Sequence, residues 1–335
     1  MRKFFIRLIY FLCIPVFVLG LFTFFYIKRD VYLDFGYHRN YSWKYYYQSL
    51  GDISTKKLLH ASTNYNSFIL GSSRTVSLYA CYIQKKIKDA RAFHYANWDE
   101  TVGGMYAKLK LLDARGYRLS SVFIYFDTDY TFAENGQCKD YDHYLLTNEN
   151  KFAYYINHYL NFLPPQLDND KTNILIGRKV NTAIFPDYES DLITNDSDHE
   201  CSDSIISNYG KTNFDSVYNK RIDSLKASGF LFKRSREEQF KEKQISIPEQ
   251  KMLEAIRDIL EKHKSRYYIV ITPLYDQLKF DKSDMKIIRD LFGKNVYDFS
   301  GINSITDNEY NYPDRKHFLP YISKNIIDSI TAHTQ

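Results

Sequence analysis

Ser121-Val122-Phe123-Ile124-Tyr125-Phe126 is apolar or aromatic at almost every position, and Tyr267-Tyr268-Ile269-Val270-Ile271-Thr272 repeats the pattern. Successive side chains of a strand point to opposite faces, so a strand without polar alternation needs cover on both sides. Three shorter runs read the same way: Ser67–Leu70, Ala92–Ala96 and Asn295–Ser300. Helical periodicity fills the gaps, at Val76–Ile87, Met105–Ala114 with Gly116 as its C-cap, Pro248–Lys262, Ser283–Leu291 and Tyr321–Ile330. Strand alternating with helix predicts an α/β fold. The expected form is a three-layer, flavodoxin-like sandwich of about five parallel strands.

Leu8–Ile27 carries no charge and has the ~20 residues that cross a bilayer as a helix. Arg2, Lys3 and Arg7 precede it, and Lys28 and Arg29 follow. The basic leading flank predicts a cytoplasmic N-terminus and a periplasmic or extracellular main domain. Bulky Phe24-Phe25-Tyr26-Ile27 replaces the small residues of a cleavage site, which favours a retained signal anchor over a removed signal peptide. The expected organisation is a tail at 1–7, a transmembrane anchor at 8–27, a membrane-proximal stalk at 28–65 and an α/β domain at 66–335. The stalk carries the Trp43, Tyr45, Tyr46, Tyr47 cluster and a short helix at Thr55–Ala61.

Periodicity is lost between about residues 136 and 246, which reads as an insertion forming a lid, with helical pieces at Phe152–Leu163 and Asp215–Leu225. Its acidic patch, Asp196 to Asp203, lacks the glycine and spacing of a calcium loop and reads as a solvated loop. Cys138 and Cys201 both fall in the insertion and can pair in an oxidising compartment. Four cysteines without a C-x-x-C pair do not suggest a zinc site, and no metal or cofactor is expected. The net charge of +5 is spread along the chain without a basic run, which gives no sign of nucleic-acid binding.

Candidate chemistry falls at strand ends, where α/β folds bind ligands. Gly71-Ser72-Ser73-Arg74 follows the first strand, as either a helix N-cap or a nucleophile turn. Asn97-Trp98 and Gly103-Gly104 follow the second, and Asp127-Thr128-Asp129 the third. Asp314 and His317, three apart past the last strand, can put a carboxylate on one imidazole nitrogen and leave the other for a hydroxyl. Arg74 reads either as a surface charge or as a binder of an anionic substrate group. Asp127 and Asp129 either hold their turn or touch substrate, and Trp98 is either core or a sugar-stacking surface. The other eight histidines lack a carboxylate at useful spacing beside a strand end, except His143 next to Asp142 in the insertion.

In block order the chain resembles the SGNH/GDSL hydrolase superfamily over roughly Phe68–Asp129 and Tyr267–Ile330. The Gly-Ser-Ser variant with an N-terminal anchor is similar to its cell-envelope branch, which includes D-alanine transfer and polysaccharide O-acetylation proteins. The resemblance implies Ser73 as nucleophile, His317 as base and Asp314 as its orienting carboxylate. It implies an oxyanion hole from the backbone of Ser73 and of Gly103 or Gly104, with an amide or hydroxyl from Asn97 or Thr128. It further implies an esterase or O-acyltransferase acting on an envelope glycan or an acyl donor, with a multi-pass membrane acyltransferase as a natural partner. One block departs: the family's Gly-x-Asn-Asp is here Phe126-Asp127-Thr128-Asp129. An ionised aspartate donates no hydrogen bond. The alternative reading is therefore an envelope protein that keeps the fold for binding and has lost the reaction.

Overall fold

The computed structural model describes residues 2–29, 32, 34–35, 50–137, 143–162 and 216–332. The Trp43–Tyr47 cluster, the acidic patch, Asp142 and the Cys138–Cys201 pair lie outside the described residues. Among those described, α1 (Arg2–Arg29), Tyr32, Asp34, Phe35 and α6 (Lys151–Phe162) group into one compact unit. Within α1, Tyr10–Lys28 is long and apolar enough to span a membrane.

The other unit is the α/β part. In chain order it holds α2 (Leu50–His60), β1 (Ser67–Leu70), a 3-10 turn (Ser73–Ser77), α3 (Ala80–Lys86), β2 (Ala92–His94), α4 (Val102–Ala114), β3 (Ser121–Phe126) and α5 (Tyr144–Thr147). After these come α7 (Ser216–Ala227), β4 (Gln239–Phe240), α8 (Ile247–Lys262), β5 (Arg266–Ile271), β6 (Leu278–Lys279), α9 (Lys282–Phe292), β7 (Val296–Asp298) and α10 (Pro320–Thr331). Five strands form a sheet of order β2-β1-β3-β5-β7, parallel throughout. Counted along the sheet's own strands this is 2-1-3-4-5, the flavodoxin-like doubly wound order, whose switch point lies beside β1.

The apolar strands are explained by what covers them. Phe68, Leu70, Val122, Ile124, Ile269 and Ile271 pack against Leu109 of α4, Leu253 and Ile256 of α8 and Ile288 of α9. The alternate residues Ile69, Phe123, Tyr125, Tyr268 and Val270 pack against Ile83 of α3, Ile222 of α7 and Ile322 and Ile326 of α10. Each face of the sheet thus has its own core, giving the three layers that the apolar runs require.

Local structure departs from the sequence reading in four places. Val76–Ile87 is not one helix: Leu78 is extended (φ −102°, ψ 97°), and a 3-10 turn precedes it. That turn is drawn tight by Ser72, whose carbonyl accepts from Thr75 N at 3.0 Å and Thr75 Oγ1 at 2.8 Å. Next, α4 starts at Val102 and not at Met105, because Thr101 caps it and draws Gly103 and Gly104 into its first turn. Third, α2 and Tyr65 are not stalk: Leu58 and Tyr65 lie in the core of the sheet's first face. Finally, the described end of the expected lid is built into the α/β unit, with Ile222, Leu231 and Ile245 buried.

A buried histidine ties β2 to the turn after β1. His94 Nε2 lies 2.8 Å from Thr75 Oγ1, and burial, aided by the charge of Lys108, pushes the imidazole down from 6.5 to about 3. The folded protein therefore keeps His94 neutral over a range in which the unfolded chain protonates it. Its contribution is complete above the unfolded value and is lost as pH falls toward the folded one. Across that window this group costs about 1.4 kcal/mol of stability per pH unit. Denaturant titrations of the detergent-solubilised chain should show His94→Gln losing less stability than the parent between neutral pH and about pH 4.

Candidate active site

Because the strands are parallel, their carboxyl ends meet along one edge of the sheet. Ser72 and Ser73 follow β1, Asn97 follows β2, Asp127 follows β3, Thr272 follows β5, and Asp314 and His317 lie between β7 and α10. Main-chain bonds carry the alignment past the strands, from Asn97 N to Gly71 O at 3.1 Å and from Thr272 N to Phe126 O at 3.0 Å. Gly71 is the one residue that lets the first turn close. A Cβ there would meet Thr75 Cγ2 at 2.5 Å and Tyr125 Cβ at 3.0 Å.

Ser73 Oγ lies 3.2 Å from His317 Nε2, across a sequence separation of 244. His317 Nδ1 lies 2.9 and 3.1 Å from the two carboxylate oxygens of Asp314. The same carboxylate builds the turn that presents the ring: Asp314 Oδ1 accepts from Lys316 N at 2.7 Å and His317 N at 2.9 Å. Burial raises the Asp314 carboxyl, but the hydrogen bond and charge of His317 and the two backbone donors outweigh it and hold it below its ordinary value. An ionised Asp314 accepts Nδ1–H and leaves Nε2 to take a proton from the serine. The N–H groups of Arg74 and Thr75 are used within the turn, whereas that of Ser73 stands at its open start.

The two serines differ in kind. Ser72 is buried, accepts from Arg74 N and donates to Asp127 Oδ2. It is a cap and a strut, and Ser73 alone of the pair faces the imidazole. Arg74 is not a surface charge. It is 3% exposed, with Nη1 and Nη2 each 2.6 Å from an Asp129 oxygen and Nη1 3.0 Å from Asp127 Oδ2. Its Nε donates at 2.9 Å to the carbonyl of Lys316, the peptide that leads into His317. Burial works against the guanidinium's charge, and Asp127 and Asp129 outweigh it and raise its pKa above the ordinary value. Arg74, Asp127 and Asp129 thus satisfy one another instead of opening toward a substrate.

The expected oxyanion donors fare unequally. Gly104 N donates to Thr101 Oγ1 at 3.2 Å, so it is engaged as a capped helix start. A Cβ on Gly104 would meet Glu100 Oε1 at 2.0 Å, and Glu100 is the buried partner of Lys108, so close packing accounts for this glycine. Gly103 is buried in the same turn. Asn97 is buried, and its Oδ1 accepts from Gly51 N at 2.9 Å and Trp98 N at 2.8 Å, which fixes the orientation of the amide. Thr128 is buried, and its hydroxyl has no hydrogen-bond partner among the described residues. Trp98 is half-buried. His143 serves as a local cap, its Nδ1 accepting from Leu145 N at 3.3 Å.

Sequence reasoning missed Thr272 and Tyr130. Thr272 Oγ1 donates to Asp127 Oδ1 at 2.6 Å, and a hydroxyl closing an apolar strand at this edge was the available signal. Tyr130 packs its ring 5.1 Å from the Arg74 guanidinium as a cation–π contact, and its phenol oxygen accepts from Lys316 Nζ at 2.8 Å. Compared with known proteins, the chain matches no family model, and no curated protein matches it.

Removing one partner of a buried ion pair strands the other. Arg74→Ala leaves Asp127 uncompensated and is expected to cost about 3–5 kcal/mol, read as a lowered denaturation midpoint of the full chain. Arg74→Lys keeps a charge but not the fork, so it should cost less while still loosening the Lys316–His317 peptide.

Proposed function

We propose that this protein is a membrane-anchored serine esterase or O-acyltransferase that works outside the cytoplasm on an envelope glycan or a related acyl donor. The observation that carries the reading is the Ser73–His317–Asp314 hydrogen-bonded chain at the carboxyl edge of a parallel sheet. The order of its blocks supports a likeness to the SGNH/GDSL hydrolases, and the apolar Tyr10–Lys28 helix supports an anchor. The basic residues ahead of that helix favour an N-terminus in the cytoplasm.

In this reading Ser73 Oγ attacks the acyl carbonyl while its proton passes to His317 Nε2. Asp314 holds the ring through Nδ1 and offsets the imidazolium charge. Collapse of the tetrahedral intermediate expels the alcohol, which takes the proton from His317 and leaves an acyl-serine. Water or a sugar hydroxyl then attacks the acyl-serine, giving its proton to His317, and the second tetrahedral intermediate breaks its bond to Oγ, releasing the acid or the new ester while His317 passes that proton to Ser73. The Ser73 N–H, at the open start of its turn, is the donor assigned to the developing oxyanion. For the transferase form, a multi-pass membrane acyltransferase is the partner that family analogy suggests.

A second reading, a binding protein that has lost the reaction, is favoured by the engaged Gly104 N–H and by the carboxylates at Asp127 and Asp129. A fluorophosphonate probe on the detergent-solubilised full chain separates the two. The expected adduct maps to Ser73 and is lost in Ser73→Ala. His317→Ala should slow labelling by about 10²–10⁴-fold, the usual contribution of a general base. An unlabelled parent chain with an intact cooperative unfolding transition would favour the binding protein, and an adduct on Ser72 would overturn the assignment of the nucleophile.

A further inference from the structure

We infer that α6 lies flat in the membrane interface beside the exit of α1, with Phe152, Ile156 and Leu160 inserted among the lipid acyl chains. The inference rests on the anchor reading of α1 but not on the chemistry of Ser73.

Residues four apart on a helix share a face. Phe152, Ile156 and Leu160 follow that spacing and are 75, 38 and 52% exposed. The packed face of α6 is a different one. Its Tyr154 is buried, and His158 Nδ1 lies 3.0 Å from Asp34 Oδ2 with its ring stacked on Tyr32 at 4.5 Å. The third sector is polar, with exposed Asn157 hydrogen-bonded to Glu149. Among the described residues, the helix therefore has an apolar side that stands exposed.

Its attachment to α1 sets the depth of that side. The hydroxyl of Tyr159 lies 2.8 Å from Thr23 Oγ1, and its ring meets Tyr26 edge-on at 5.2 Å. Thr23 and Tyr26 belong to the last turns of the Tyr10–Lys28 apolar stretch. At 1.5 Å rise per residue, Thr23 lies about 7–8 Å inside the end of that stretch. That is the depth, roughly 5–10 Å into the headgroup and acyl boundary, at which amphipathic interfacial helices bury their apolar face. Tyr26, Tyr32, Tyr154 and Tyr159 gather here as an aromatic cluster of the kind enriched where a membrane meets water. Lys28 and Lys151, both exposed, supply cations suited to the headgroup layer. An apolar stripe held at this level against a spanning helix has lipid for its neighbour.

The test uses the full chain reconstituted into phosphatidylcholine–phosphatidylglycerol vesicles. Some vesicles carry lipids brominated near the upper part of the acyl chains. Ile156→Trp, Asn157→Trp and Phe17→Trp are compared, each read as emission gained over the parent. The expected result is that Ile156→Trp is blue-shifted, loses most of its added emission to brominated lipid and is shielded from aqueous acrylamide. Asn157→Trp should show the reverse. Quenching of Ile156→Trp by acrylamide alone would mean that the stripe faces water. Quenching by neither agent would mean that protein covers it. Either outcome overturns the inference while Phe17→Trp, still quenched by brominated lipid, upholds the anchor. Loss of quenching at Phe17→Trp would overturn the anchor and the inference together. Phe152→Trp gives a second reading at the far end of the stripe if Ile156→Trp disturbs the helix.

Discussion

Arg74 joins the carboxylates of Asp127 and Asp129 where almost no water reaches its guanidinium. Buried charge is costly on its own, and such a pair persists only when every donor is met with good geometry. Here the fork grips Asp129, the second carboxylate takes the remaining charge, and Nε reaches a main-chain carbonyl. Asp127 is satisfied from the other side by Ser72 and Thr272. One ion cluster thus fastens the ends of β1, β3 and β5 and the segment before α10. The sheet's hydrophobic faces supply the bulk of the burial, but they do not specify how these loops lie over its edge. The cluster does.

Its position gives the carboxylates that follow β3 a structural role. A carboxylate after β3 cannot serve as a neutral amide donor. In this chain it serves as the counter-charge of a residue adjacent to the nucleophile candidate. The arginine it holds in turn fixes the peptide that carries the imidazole. The carboxylate thereby helps to orient that peptide through Arg74, and Asn97 at the neighbouring strand end is anchored by Gly51 and Trp98 through its amide oxygen.

How much of this could be read from the sequence depended on how local the cause was. β3 spans Ser121–Phe126, as its apolar run suggested, because burial on both faces imprints each residue of a central strand. The Asp314–His317 pair was readable too, since three residues of one turn make the contact. Arg74 was opaque: the carboxylate it forks onto lies 55 positions away, and nothing beside it announces burial. The break at Leu78 was hidden for a similar reason. The 3-10 turn before it is tightened by Ser72, and Ser72 is itself held by Asp127 from another strand. Gly104 misled because a glycine before a helix suggests an exposed amide, whereas the side chain of Glu100 leaves no room for a Cβ there. α2 carries too weak an apolar pattern to betray that Leu58 enters the core.

The 244 positions between Ser73 and His317 also impose an order in time. The serine is synthesised early, and the imidazole it faces follows only after β5, β7 and the turn at Asp314 have been made. Until α10 closes over the second face, Ser73 is an ordinary alcohol at the start of a short turn. Ser73 therefore gains His317 as a neighbour only when synthesis of the α/β part is essentially complete, so a chain stalled midway holds the serine without the imidazole.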